Sequence, residues 1–280
     1  MSDKKSFIAK IEEAILRYTK PKYMDSKEDV DDFLNNKPVQ KPPQGIFKMS
    51  DSHLYTFGNE NAKNTILFVH GGAFVSEMNY QHLLYCLKMS RKLDAHVIAP
   101  VYPLAPQHNA METYDMITEI YEKLDHENLI LMGDSAGGGF VLSFAQYLKT
   151  VGLPQPRKII AFSPWVDISM SNSPYDNEHD PILGEIGLKE MGKSWAGDLD
   201  TKDYRVSPLY GDVAGQAQTL IFSGTGEIFY KDIEIYVEKL KKCNVDVKFI
   251  KGEGLFHIYP LFPSPEAKKA FKEVKKEIIG

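Results

Sequence analysis

The chain has 280 residues, 43% of them hydrophobic and 25% charged, with a formal net charge of -5. That length suits one large α/β domain or two small ones, and the composition is that of an ordinary globular chain with a sizeable core. The acidic balance lacks the basic footprint of a nucleic-acid binder, and no segment stays apolar for long enough to span a membrane. Two cysteines, Cys86 and Cys243, show no metal-type or CxxC spacing, which points to a reduced chain with incidental thiols. The first residues hold no apolar stretch of signal-peptide length, so the expected location is cytoplasmic, with no membrane anchor.

Residues 6–18 place Phe7, Ile8, Ile11, Ile15 and Tyr18 in one stripe at helical spacing. Such a stripe is expected to pack on the body of the protein. A lipid-facing role is disfavoured because Glu12 and Glu13 stand among the lysines. Residues 20–45, rich in Lys, Asp, Asn and Pro, read as a loop-like approach to the core. Residues 53–57 alternate as a strand does, and residues 65–69 form a continuous apolar run that reads as a buried strand. It ends in His70-Gly71-Gly72-Ala73-Phe74. A helix over 81–91 separates it from a strand at 95–99, and a further helix covers 111–124.

The strand over 128–132 and the helix over 140–148 bracket Gly133-Asp134-Ser135-Ala136-Gly137-Gly138. Gly133 and Gly137 around Ser135 fit the G-x-S-x-G nucleophile elbow, in which a serine stands on a tight strand-to-helix turn. That turn sets the Ala136 N–H at a helix N-terminus, where developing negative charge is stabilised. A strand at 157–162 follows. Residues 168–210 then break the rhythm and read as an insertion, a lid or cap, with one helical piece at 188–195. Strands at 219–223 and 245–250, a helix at 231–242 and a closing helix at 265–279 complete the chain. The strand–helix alternation predicts a mostly parallel sheet with helices on both faces.

A serine hydroxyl needs a base to take its proton, and the base needs a third group to fix its tautomer. In this fold the chain order is serine, acid, histidine, each at the carboxyl end of a strand. Beyond Ser135 there are two histidines. His179 lies in the insertion with no strand before it, whereas His257 follows the last strand after Gly252-Glu253-Gly254-Leu255-Phe256, so His257 is the expected base. For the acid, Glu227 follows the strand ending at Ser223, and Asp232, the alternative, falls in the first turn of the next helix. Gly71, Gly72, Ala73 and Ala136 are the expected oxyanion-hole positions, the amides of Gly72, Ala73 and Ala136 donating while Gly71 makes room. His70 is read as orienting the loop. Phe74, Trp165 and Trp195 are possible pocket-lining side chains, with core packing the competing reading.

His70-Gly71-Gly72-Ala73-Phe74, Tyr102-Pro103-Leu104-Ala105-Pro106, Gly133-Asp134-Ser135-Ala136-Gly137-Gly138, Ser163-Pro164-Trp165 and Gly254-Leu255-Phe256-His257 together resemble the hormone-sensitive-lipase-like carboxylesterases of the α/β-hydrolase superfamily. The resemblance runs over residues 65–257. It implies an α/β-hydrolase fold in one domain over 1–280, a helical cap from 1–45 and 168–210, and a small-molecule ester as substrate, commonly one with a short acyl chain. No metal or organic cofactor is implied. Two departures stand out: Glu227 occupies a place that usually holds Asp, and Tyr102 to Gln107 lacks the charged pair of the related Tyr-Arg-Leu-Ala-Pro-Glu. An amidase or peptidase could use the same three residues, and a ligand-binding protein could share the fold without catalysis. Oligomeric state is not legible. Gly187-Leu188-Lys189-Glu190-Met191-Gly192-Lys193-Ser194 also matches the P-loop pattern, but it lacks the preceding strand that phosphate binding requires and reads as a chance match.

Overall fold

A computed structural model describes residues 5–36, 41–43, 45, 47–50, 53–172 and 180–279. His179 and the rest of 173–179 lie outside the described residues, as do parts of the 1–45 segment. Seven strands form one sheet: β1 (Leu54–Phe57), β2 (Asn64–Val69), β3 (Ala95–Pro100), β4 (Leu129–Asp134), β5 (Lys158–Phe162), β6 (Thr219–Gly224) and β7 (Val247–Gly252). Their spatial order is β1-β3-β2-β4-β5-β6-β7. Only the β1–β3 pair is antiparallel.

Eight α-helices are described: α1 (Phe7–Thr19), α2 (Lys27–Asn36), α3 (Tyr80–Leu93), α4 (Ala110–Tyr121), α5 (Ser135–Thr150), α6 (Glu185–Ala196), α7 (Tyr230–Lys242) and α8 (Pro265–Ile279). The parallel strands β2 to β6 are buried on both faces, which is why they read as mostly apolar runs, whereas β7 at the sheet edge is only half-buried. Leu67, Leu131, Ile159 and Ile221 face the layer that contains α4, α5 and α7. Ile66, Ile130, Met132, Ile160 and Leu220 face the layer of α3 and α8. Local chemistry sets several helix starts. Asn79 and Asn109 cap α3 and α4, each in a reciprocal capping box with the residue three positions on.

Two segments depart from the sequence expectation. Within 20–45 the chain forms α2 instead of a loop. Glu28 and Asp29 suit its N-terminus, Lys27 pairs with Asp31 at 3.0 Å, and Val30 is fully buried. Its few apolar positions made the helical period faint, and packing against α6 supplies the rest. The α1 stripe points the other way from expectation. Phe7 is 78% and Tyr18 92% exposed, and Ile8, Ile11 and Ile15 are exposed with them. The inward face carries Ala9, Leu16 and the half-buried Glu12 and Glu13. Contacts at the helix start fix this orientation. The Ser6 N–H and hydroxyl donate to Glu266 of α8 at 2.7 and 2.8 Å, and Lys5 pairs with Glu13. Burial, aided by Glu266, pushes the Glu12 carboxyl up from its ordinary value.

Both cysteines are free, Cys86 buried within α3 and Cys243 at the end of α7. No helix among the described residues is long and apolar enough to cross a membrane.

Candidate active site

The site is built where β4 gives way to α5. Ser135 sits at that junction with φ +53°, a left-handed conformation that non-glycine residues adopt only when the surroundings over-determine it. The surroundings here are backbone. A Cβ on Gly133 would strike the Gly137 carbonyl, and one on Gly137 would strike the carbonyl oxygens of Val69 and His70. The two flanking glycines let the elbow press against β2. Trp165 fixes its far side, the Trp165 N–H donating to the Ser135 carbonyl at 3.0 Å.

His257 arrives from the loop after β7. The Ser135 hydroxyl donates to His257 Nε2 at 2.8 Å, and His257 Nδ1–H donates to Glu227 Oε2 at 2.6 Å. The Ser223 hydroxyl donates to the other Glu227 oxygen. Loop-to-loop bonds hold this geometry: Gly226 N–H to the Leu255 carbonyl at 3.0 Å, Gly254 N–H to Thr225 Oγ1 at 2.7 Å, and Ile258 N–H to Ser163 Oγ at 2.9 Å. The Phe229 ring stands edge-on to the imidazole. Burial alone would push the His257 pKa down. The hydrogen bond and charge of Glu227, with Asp180 and Asp134 adding to it, hold the pKa above its ordinary 6.5. Asp232, the alternative acid, is buried in the first turn of α7, where it accepts from Asn172 Nδ2 at 2.6 Å. Glu227 is the acid that meets the imidazole.

The strand β2 ends in a loop of unusual backbone. Gly72, Ala73 and Phe74 all have positive φ, +117°, +53° and +61°. Among the described residues, the N–H groups of Gly72, Ala73 and Ala136 carry no intramolecular hydrogen bond. Gly71 differs. Its N–H donates to Asp134 Oδ1 at 3.1 Å, so it serves the loop by closeness to the elbow and offers no free donor. The Asn79 N–H donates to His82 Nδ1 at 3.1 Å, which leaves the proton on His82 Nε2, directed at Asp134 Oδ2 at 3.3 Å. His70 is buried and stacks on Tyr102, its Nδ1–H donating to the Gly71 carbonyl at 2.6 Å. Burial lowers its pKa to about 3, which keeps the ring neutral.

A cavity of about 190 Å³ opens over Ser135 and His257, walled by Pro21, Tyr23, Met24, Ile182, Leu183 and Met191. Phe74, Trp165 and Trp195 are not among its lining residues. They are buried and stacked, Phe74 on Trp195 at 4.1 Å and on Trp165 at 6.1 Å, so core packing accounts for them. The P-loop-like stretch lies inside α6, where Gly187 closely approaches Met24 and Gly192 approaches Ile168. Sequence reasoning missed Asp180. This buried carboxylate accepts from the Ile182 and Leu183 N–H groups at 2.8 Å each and from Ile228 N–H at 2.9 Å. Its local sequence, acidic and polar like the rest of the insertion, gave no signal of that role.

Comparison with known proteins bears on the family and the fold. Residues 66–261 match the family described as alpha/beta hydrolase fold. An esterase of Acinetobacter venetianus is 30% identical over 224 residues, covering 76% of this chain and 74% of that protein. Among solved structures, a candidate esterase of Staphylococcus aureus superposes with a TM-score of 0.85 at 24% identity, covering 95% of this chain and 99% of that one. A hormone-sensitive lipase from a metagenome library superposes at 0.81 with 22% identity, covering 96% and 97%. At these identities the two structures speak for the fold.

Proposed function

The chain belongs to the α/β-hydrolase fold family, and from that premise we propose that it is a serine carboxylesterase acting on short-chain acyl esters. The observation that carries the proposal is the hydrogen-bond relay from Ser135 through His257 to Glu227, buried at the base of a cavity beside three unpartnered amides. Ester hydrolysis is the activity that the esterase relative supports.

In this reading His257 Nε2 takes the Ser135 proton as Oγ bonds to the ester carbonyl carbon. The carbonyl oxygen becomes an oxyanion, and the amides of Gly72, Ala73 and Ala136 hold it. The tetrahedral adduct collapses, the C–O bond to the alcohol breaks, and His257 returns its proton to the leaving alkoxide. Water then gives a proton to His257 and attacks the acyl-enzyme, which releases the acid and restores Ser135. Glu227 holds the Nδ1–H tautomer that leaves Nε2 free as the base. The two strained residues, Ala73 and Phe74, aim the loop amides before substrate arrives, so no reorganisation is needed in the transition state.

A cavity of about 190 Å³ is smaller than the ~300–1,000 Å³ of sites for drug-sized ligands, which supports a short acyl group. We read the described parts of 1–45 and 168–210 as one cap within a single domain, supported by the packing of α2 on α6. The two free thiols support a reducing compartment, the cytoplasm.

The test is hydrolysis of p-nitrophenyl esters from acetate to palmitate by the wild type and Ser135→Ala. Turnover should peak at short chains, and the variant should lose up to about a millionfold in kcat. Equal rates in both proteins would sink the nucleophile assignment and favour a binding protein. Faster turnover of matched p-nitroanilides than of esters would favour an amidase.

A further inference from the structure

Asp180 stands in the segment that closes the cavity, yet it is bonded to the loop that carries the acid. One carboxylate oxygen accepts from the Ile182 and Leu183 N–H groups, so it shapes the two residues that wall the cavity. The other accepts from Ile228 N–H, the amide next to Glu227. The side chain is 1% exposed, so these bonds are made away from water, where loss of an acceptor leaves buried donors unsatisfied. The connection continues outward. Gly184, which starts α6, approaches Met24 so closely that a Cβ would meet the Met24 carbonyl and the Asp25 carboxylate. One buried carboxylate thereby joins the acid loop to the insertion, and Gly184 brings the insertion against the N-terminal wall of the cavity.

Resting on the serine-esterase reading, we propose that Asp180 is a positioning residue that locks the Glu227 loop to the cavity wall and sets the field at His257. The ionisable groups facing His257 are Glu227 from the β6–α7 loop, Asp134 from the elbow and Asp180 from the insertion. Glu227 bonds His257 directly, and Asp134 is committed to Gly71 and His82. Asp180 acts through space and through the Ile228 amide. A substrate that shifts Ile182 and Leu183 therefore pulls on the carboxylate that holds the acid loop. The wall that a substrate meets and the loop that holds the acid are one bonded unit around Asp180.

The experiment compares full-length wild type, D180N, D180E and S135A on p-nitrophenyl acetate across the range of about pH 5 to pH 9, where histidine titrates. Each folded variant is also treated with diisopropyl fluorophosphate, whose rate of reaction reports serine reactivity without ester turnover. D180N, which loses the charge and turns an N–H toward a donor, should lower kcat/KM about 10- to 100-fold. Its acid limb should move to lower pH, and it should slow phosphorylation of Ser135. D180E keeps the charge on a longer arm, so its acid limb should stay at the wild-type pH while kcat falls.

Wild-type values for D180N in both rate and acid limb would overturn the proposal, as would a D180E limb that moves with D180N. Should neither variant fold, amide exchange in the wild type decides: slow exchange at Ile228 supports the lock, and exchange as fast as in a solvent-facing loop overturns it. An active S135A would instead defeat the serine reading itself, an outcome independent of Asp180.

Discussion

Helix α5 is buried on every side from Ser135 to Gln146, whereas helix α1 carries an apolar stripe on one face and turns it outward. Along α5, Ala136, Phe140, Leu142, Phe144 and Leu148 are all buried, and the helix begins at Ser135. Along α1 the apolar arc faces solvent while Glu12 and Glu13 face the protein. The difference shows that a helical period tells which residues share a face but leaves open which way the face looks. For α5 the direction is forced by backbone contact at both glycines of the elbow. For α1 it is set by polar contacts made at the first turn, Ser6 on Glu266 and Lys5 on Glu13, between residues 260 and 8 positions apart.

That contrast can be sharpened experimentally. At the α5 end a change of one atom should matter most. Glu227→Gln keeps the shape but withdraws the carboxylate that fixes the His257 tautomer. It should lower kcat by about 10⁴ with little change in thermal unfolding. A comparable loss of melting temperature would mean the carboxylate serves the fold instead of the relay. Next comes packing. Leu142→Ala, at a fully buried position of α5, should cost about 2–5 kcal/mol in denaturant unfolding.

The pH response is more modest and has two opposed parts. With neutral His257 as the proposed base, kcat/KM should fall toward acid with a midpoint above 6.5. The raised pKa also means that protonated His257 stabilises the fold. That contribution is complete below pH 6.5 and is lost as pH rises through the folded value. Activity should therefore grow over the same interval in which this one contribution to stability fades. A midpoint below 6.5 would deny Glu227 its effect on the imidazole. Smallest of all, Ile11→Lys on the outer arc of α1 should leave stability within about 0.5 kcal/mol and leave kcat/KM unchanged. A loss of a few kcal/mol there would break the contrast and put the arc at an interface.

The sequence made the centre of this molecule legible because its constraints are short-range and steric. The apolar runs of β2, β4 and β6 fit only buried parallel strands, and Gly133 and Gly137 around Ser135 announce the close approach of α5 to β2. The proximity of Glu227 and His257 followed from strand order, since consecutive parallel strands deliver their loops to one edge. What stayed hidden depends on distant partners. The polar helix α2 needs α6 beside it, and the outward face of α1 follows from Glu266. Phe74, Trp165 and Trp195 had the composition of a pocket wall but stack on one another in the core. Asp180 was invisible because the Ile228 amide it accepts from lies 48 positions away.

The placement of the three relay residues along the chain has a consequence for how the protein is made. Ser135 and His257 are 122 positions apart, and His257 comes from the loop after β7, the last of the described strands. A growing polypeptide that has completed β4, α5 and β5 already carries the serine on its elbow, but nothing is yet present to take its proton. Only when β6 and β7 have joined the sheet edge does His257 reach the hydroxyl that the proposed mechanism makes the nucleophile. On the proposed mechanism, synthesis therefore yields an inert intermediate until its closing steps, and catalytic competence would itself signal that the carboxyl-terminal half of the sheet has assembled.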